Sequence, residues 1–135
     1  MGTRGRVVIY YKRRLVTMWN RYDSYPCVLG VAICNAIKEM LALWGIDGIR
    51  ERFLKATVVE FEDCPTEINC HELKTCFEKG TFVNDDCSDI EWVYTIDLDG
   101  MSLVSNRSYS DEEDSYRFSK FENLDAAIKE YKEMW

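Results

Sequence analysis

The spacing of apolar positions changes along the chain, and each change marks an element. Val7 to Tyr11 and Leu15 to Trp19 are β-branched and aromatic, and Lys12-Arg13-Arg14 between them has the composition of an exposed turn. Two such runs with a short polar connection predict a β-hairpin. The turn lacks Gly and Asn, so its type stays open. From Asn20 to Trp44 the period lengthens. Asp23 and Ser24 are good helix N-cap residues, and Pro26 suits the first helical turn, where a missing N–H costs nothing. Leu29, Ala32, Ile33, Ala36, Ile37, Met40, Leu41 and Trp44 then recur at i, i+3, i+4 and i+7. Cys27, Val31 and Cys34 extend the apolar stripe around most of the circumference. The pattern predicts a central, most buried helix that Gly45 terminates.

Beyond Gly45, Asp47 can cap a shorter helix carrying Ile49, Phe53 and Leu54, and Val58 to Phe61 fits either a helical continuation or a short strand. Pro65 or Thr66 starts a further helix to about Lys79, with Cys70, Leu73 and Phe77 on one face and Gly80 at its end. Residues 81–89 read as an acidic loop. Ile90 to Leu98 alternates with period two, Asp99-Gly100 is a two-residue hairpin signal, and Met101 to Ser105 returns as the partner strand. Residues 106–118 read as a polar, acidic loop with room for a strand at its end. Ser119 and Glu122 form a capping box. Phe121, Leu124, Ile128, Tyr131 and Trp135 make one stripe on a closing helix.

The order ββ-α-α-α-ββ-α predicts an α+β fold. The expectation is an antiparallel sheet of about four strands, from two hairpins, with three to four helices packed on one face. At 135 residues the chain suits a single globular domain over residues 1–135.

Composition changes this picture little: 47% hydrophobic and 30% charged residues are ordinary for a globular protein. Charge changes it more. The net charge is −7, yet residues 1–22 hold six of the 17 basic residues and none of the 24 acidic ones. A basic hairpin on an acidic chain either meets an anion or complements acidic surfaces of its own fold or of a second copy. A pI near 4.8 is unlike a dedicated nucleic-acid binder, which favours the second reading. The first residues read as a strand with charges beyond it rather than an export signal. Asn35, Lys38 and Glu39 interrupt the run from Cys27 to Leu43, so it reads as a buried helix rather than a membrane span. Six cysteines in that setting point to reduced thiols and an intracellular, cytoplasmic location.

Three stretches carry a resemblance. The chain opens with Met1-Gly2-Thr3-Arg4-Gly5. It continues with Asn20, Asp23-Ser24-Tyr25-Pro26 and Leu29-Gly30, and later has Glu91-Trp92-Val93-Tyr94-Thr95-Ile96-Asp97-Leu98-Asp99. It resembles an uncharacterised family of small proteins from phages, large DNA viruses and fungi. Those proteins open with MGTRG, follow with YN-x-x-DSYP-x-x-LG, and later show EW-x-Y-x-IDLD. Trp19 before Asn20, Arg21-Tyr22 before Asp23 and the cysteine-rich middle depart from that pattern. The family has no assigned activity, so the resemblance implies a fold rather than a mechanism. It also implies a viral protein located in the host cytoplasm.

Three groups of residues carry candidate chemistry. If the hairpin brings its ends together, Arg4, Asn20, Asp23, Ser24 and Tyr25 gather near the start of the central helix. There, free N–H groups and a guanidinium form a candidate anion or nucleotide site. Lys12, Arg13, Arg14 and Arg21, interleaved with Tyr10, Tyr11, Trp19 and Tyr22, are the candidate nucleic-acid contacts. Cys64, Cys70, His71, Cys76 and Cys87 are the metal-ligating types, but C-x5-C-H-x4-C-x10-C matches no standard zinc spacing. On one helix Cys70 and Cys76 would lie about 120° apart at 100° per residue, too far round to share an ion. Metal and cofactor are therefore not expected. No motif names a catalytic residue, since the single His71 adjoins Cys70 and neighbours on a helix do not face each other.

The sequence thus points to a small non-enzymatic protein acting through protein–protein association, with a protein partner or a second copy and without a membrane. The alternatives are the anion or nucleotide site and, less favoured, nucleic-acid binding by the basic hairpin.

Overall fold

The computed structural model describes residues 4–20, 23–60, 73–85, 90–107 and 117–134. The hairpin forms as expected, with β1 (Gly5–Tyr11) and β2 (Arg14–Asn20) paired antiparallel from Gly5 opposite Asn20 to Tyr11 opposite Arg14. Its turn is only two residues long. Lys12 and Arg13 both adopt positive φ, 45° and 68°, the left-handed turn whose twist matches a hairpin. Two non-glycine residues there are strained, and one external contact holds them: the Lys12 N–H donates to Asp99 Oδ2 at 3.1 Å.

The central helix enters differently from the expectation. Neither Asp23 nor Ser24 caps it. Tyr25 is the last extended residue, its carbonyl accepts the N–H groups of Val28 and Leu29, and Pro26–Gly30 forms a wide helical turn leading into α1 (Val31–Lys55). Ser24 is unavailable as a cap because its hydroxyl is directed to Asn20. Gly45 breaks α1 as expected, at φ 69° and ψ 173°, a conformation glycine reaches without a steric penalty. The helix then resumes through Ile49 and Phe53. By length and composition alone, Pro26–Lys55 is apolar enough to cross a membrane, contrary to the reading from Asn35, Lys38 and Glu39. Its Ile33, Cys34, Ile37, Met40, Ile49 and Phe53 are buried in the protein core.

After α1 the chain departs further from the expected order. β3 (Thr57–Glu60) is a strand, α2 (Leu73–Lys79) is helical, and β4 (Thr81–Asn84) pairs parallel with β3 where an acidic loop was expected. The start of the expected helix at residues 65–72 lies outside the described residues. β5 (Trp92–Asp97) and β6 (Ser102–Arg107) form the second hairpin, but its turn spans four residues rather than Asp99-Gly100 alone. Met101 takes the positive φ of 52°, and Asp97 Oδ1 accepts the N–H groups of Asp99 and Gly100. Local carboxylate bonding of this kind displaces the two-residue turn. β7 (Arg117–Lys120) contains Ser119, so the expected capping box is absent, and a short tight turn at Phe121–Asn123 leads into α3 (Leu124–Lys132).

The fold is α+β, with a five-stranded mixed sheet in the order β2-β1-β5-β6-β7 and a separate β3-β4 pair. The expected four-stranded, wholly antiparallel sheet is corrected at one joint. β1 and β5 run parallel, from Gly5 opposite Trp92 to Tyr10 opposite Asp97. The strands are separated by the helical crossover that parallel neighbours require. One core unites the sheet face bearing Val7, Ile9, Tyr94 and Ile96 with all three described helices, through Ile33, Phe77 and Tyr131.

Candidate functional site

Of the first group of candidate residues, Asn20 and Ser24 come together. Gly5 pairs with Asn20, and Ser24 lies against Gly5 so closely that a Cβ there would fall 2.5 Å from Ser24 Cβ. Asn20 Nδ2 donates to Ser24 Oγ at 2.8 Å, and the Tyr94 hydroxyl donates to the Ser24 carbonyl at 2.6 Å. Asn20 and Ser24 have no exposed surface, so a ligand in solvent reaches neither; Arg4 and Asp23 are exposed and Tyr25 half-buried. The corner works as a polar latch joining the start of the central helix to the sheet. Beside it the Tyr131 hydroxyl hydrogen-bonds Ser105 Oγ at 2.8 Å, and the two tyrosine rings meet edge to face. Burial pushes the Tyr131 hydroxyl up to about 12 against the pull of Ser105, and it pushes Tyr94 up further.

The basic hairpin divides its charges. Arg14 donates to the carbonyls of Phe53, Leu54 and Ala56 and lies over the Phe53 ring, so it closes the C-terminal end of α1. Cations are favourable at that end, where the last carbonyls lack helical partners. Lys12 and Arg13 are exposed at the tip, and Arg21 lies outside the described residues.

Of the cysteine set, Cys64, Cys70, His71 and Cys87 lie outside the described residues, and Cys76 is buried in α2. Among the described residues no group of three or more His, Cys, Asp or Glu is placed to hold a metal ion. Burial pushes the Cys34 thiol up to about 12, which keeps it protonated and unreactive at neutral pH. An open groove of about 500 Å³ separates α1 from α2, with Trp44 and Phe77 in its lining and Arg52, Lys55 and Lys79 among its charged residues. Arg52 already stacks on Trp44, and Lys55 pairs with Glu51, which holds that carboxyl below its usual range.

The most unusual surface is the sheet face turned away from the core. The register aligns three rows across it. One runs Leu15, Tyr10, Asp97, Ser102, Lys120; the middle row runs Thr17, Val8, Thr95, Val104, Phe118; the third runs Trp19, Arg6, Val93, Asn106. The middle row carries no charge across all five strands. Leu15 is 58% exposed, Phe118 52% and Tyr10 37%. Val8, Val93 and Val104 neither belong to the core cluster nor pack against it. The outer edge of β2 is partly occupied, since the Thr17 N–H donates to Asn84 Oδ1 and its carbonyl accepts from the Asp85 N–H.

Comparisons with protein-family models, curated proteins and solved structures found no match. Of this face the sequence points only to Tyr10 and Trp19, as aromatics interleaved with the basic residues; Val8, Leu15, Thr17, Thr95, Val104 and Phe118 do not stand among the candidate site residues. A signal for them exists: Val7 to Tyr11 is apolar at every position rather than every second one, as in a strand covered on both faces.

Proposed function

We propose that the protein is a non-enzymatic association module and that the outer face of its five-stranded sheet is the contact surface. The observation that supports this is an uncharged central row crossing all five strands, with large exposed apolar side chains at both of its ends, Leu15 and Tyr10 on β2 and β1 and Phe118 on β7. Singly exposed apolar residues are ordinary, but a contiguous apolar face rimmed by polar groups is a feature of interaction surfaces. Charges at one margin, Asp97 and Lys120, would set orientation rather than strength.

A photo-crosslinking side chain at position 118 tests this in cells that produce the protein. Discrete protein adducts are expected, and they should disappear when Leu15→Asp is added on the same face. The same probe at the exposed Lys132 of α3 is the control. Equal labelling from both positions, or none from position 118, would overturn the reading.

A further inference from the structure

We propose that the groove between α1 and α2 is a binding site for a small organic anion, a phosphate or carboxylate carried on a ring-sized apolar body. The groove belongs to the helical side of the molecule, so this goes beyond the association reading and does not depend on it.

The break in α1 builds the groove. In an unbroken helix the Cβ atoms of residues four apart are about 5–6 Å from one another. At Gly45, φ 69° and ψ 173° swing Trp44 onto the segment that follows, so that a Cβ at Gly48 would fall 2.7 Å from Trp44 Cβ. Glycine at 48 accepts that approach. Arg52, one turn further on the same face, stacks its guanidinium on the indole at 3.9 Å. From the end of α2, Gly80 lines the other side, and a Cβ there would meet nothing within 4 Å. Between them lies an open space of about 500 Å³, with the half-buried Trp44 and the buried Phe77 in its lining. That volume is within the range of small-molecule sites.

Charge decides the ligand. The groove is lined by two carboxylates, Glu51 and Glu78, and both are matched. Glu51 is bonded to Lys55 and feels Arg52 only through space. Glu78 faces Lys74 at 3.6 Å, a lysine it shares with Glu39. Among the described residues, Arg52 and Lys79 have no hydrogen-bond or ion-pair partner. The stack on Trp44 takes the face of the Arg52 guanidinium and leaves the N–H donors at its edge, held in one plane. A guanidinium fixed in this way recognises a carboxylate or a phosphate through two parallel hydrogen bonds, and Lys79 adds a second positive charge. On a chain of net charge −7, these two cations attract an anion that the acidic remainder repels. The rings supply the apolar contact, so an inorganic anion engages only part of the site.

Proton–nitrogen correlation spectra of the full chain test this. Each of the four tryptophans gives one indole signal, and Trp44→Phe identifies that of residue 44. Naphthyl phosphate and naphthoate are the probes, with inorganic phosphate as the anion alone and naphthol as the body alone. The Trp44 signal should shift and saturate with a Kd of about 0.1–1 mM for the better probe. Tighter binding of naphthyl phosphate identifies the natural group as a phosphate ester, and tighter binding of naphthoate as a carboxylate. Arg52→Gln should weaken binding at least about tenfold and Lys79→Gln about threefold, whereas Lys132→Gln on the exposed side of α3 should leave it unchanged. Because neither groove cation holds a hydrogen bond, both variants should keep the wild-type spectrum away from the groove. No saturation by about 10 mM of either probe, equal shifts from inorganic phosphate or naphthol, or a Kd that both groove substitutions leave unchanged overturns the proposal. A Trp44 shift produced by raising protein concentration without any compound makes a second copy the occupant and overturns it too. None of these outcomes alters crosslinking from position 118, so the two readings fail separately.

Discussion

At position 5 the backbone of β1 runs against Ser24, with space for a hydrogen and not for a methyl group. Gly5→Ala should therefore cost about 1–3 kcal/mol in a urea denaturation series, the range for forcing an atom into packed space. Removing the Ser24 hydroxyl in the same chain should restore little, because Ser24 Cβ is the nearer atom. The conformation of Gly5, Asn20 and Ser24 was not legible as such. Asp23 and Ser24 have the composition of a helix cap, and only the pairing of Gly5 with Asn20 shows why the hydroxyl turns inward instead. The buried hydroxyls and thiol at this end give a second residue-scale prediction. Cys34, from 9.0 to about 12, and Tyr131, from 10.0 to about 12, have folded pKa values raised by burial, as does Tyr94. A raised value means the folded state holds its proton longer. Stability is complete below pH 9 and falls as pH rises from about 9 towards 12. Urea midpoints measured at pH 8 and pH 11 should fall, and Tyr131→Phe should reduce the fall, although it costs stability at pH 8.

At the scale of elements the two hairpins, the central helix and the break at Gly45 were legible. Each rests on a local signal: two-residue or helical periodicity, and a glycine free to adopt φ 69°. The sequence leaves β3 open between helix and strand and reads β4 as a loop, because each is four residues long and is stabilised by pairing with the other across intervening chain. Arg14 shows how one side chain joins elements. Its guanidinium reaches three carbonyls at the end of α1, a job for a planar fork with several donors. Arg14→Ala should cost about 2–3 kcal/mol by chemical denaturation, and Arg14→Lys should recover less than half of that, since an ammonium cannot span the same acceptors.

For the whole molecule, the α+β class followed from element order, whereas the parallel joint between β1 and β5 did not. Nothing local distinguishes a strand that pairs with its sequence neighbour from one that also receives a distant partner. The open face was missed for a related reason: Val8 and Tyr10 were read as strand formers, and strand propensity does not say which face is covered. Lysine at both Leu15 and Phe118 should leave the unfolding free energy within about 0.5 kcal/mol of wild type in a urea series while raising solubility, which concentration series by static light scattering would show. The strained tip of the first hairpin has a consequence for proteolysis. Lys12, Arg13 and Arg14 are three consecutive trypsin sites, and two of them are exposed. A protease needs its substrate extended, and a backbone reversing through two left-handed residues cannot be laid out so while β1 and β2 stay paired. Because β1 is held by β2 and β5, freeing that tip requires opening the sheet. Cleavage after residues 12–14 should accordingly proceed at a rate set by the population of opened molecules, making three adjacent basic residues an internal gauge of how often the whole fold lets go.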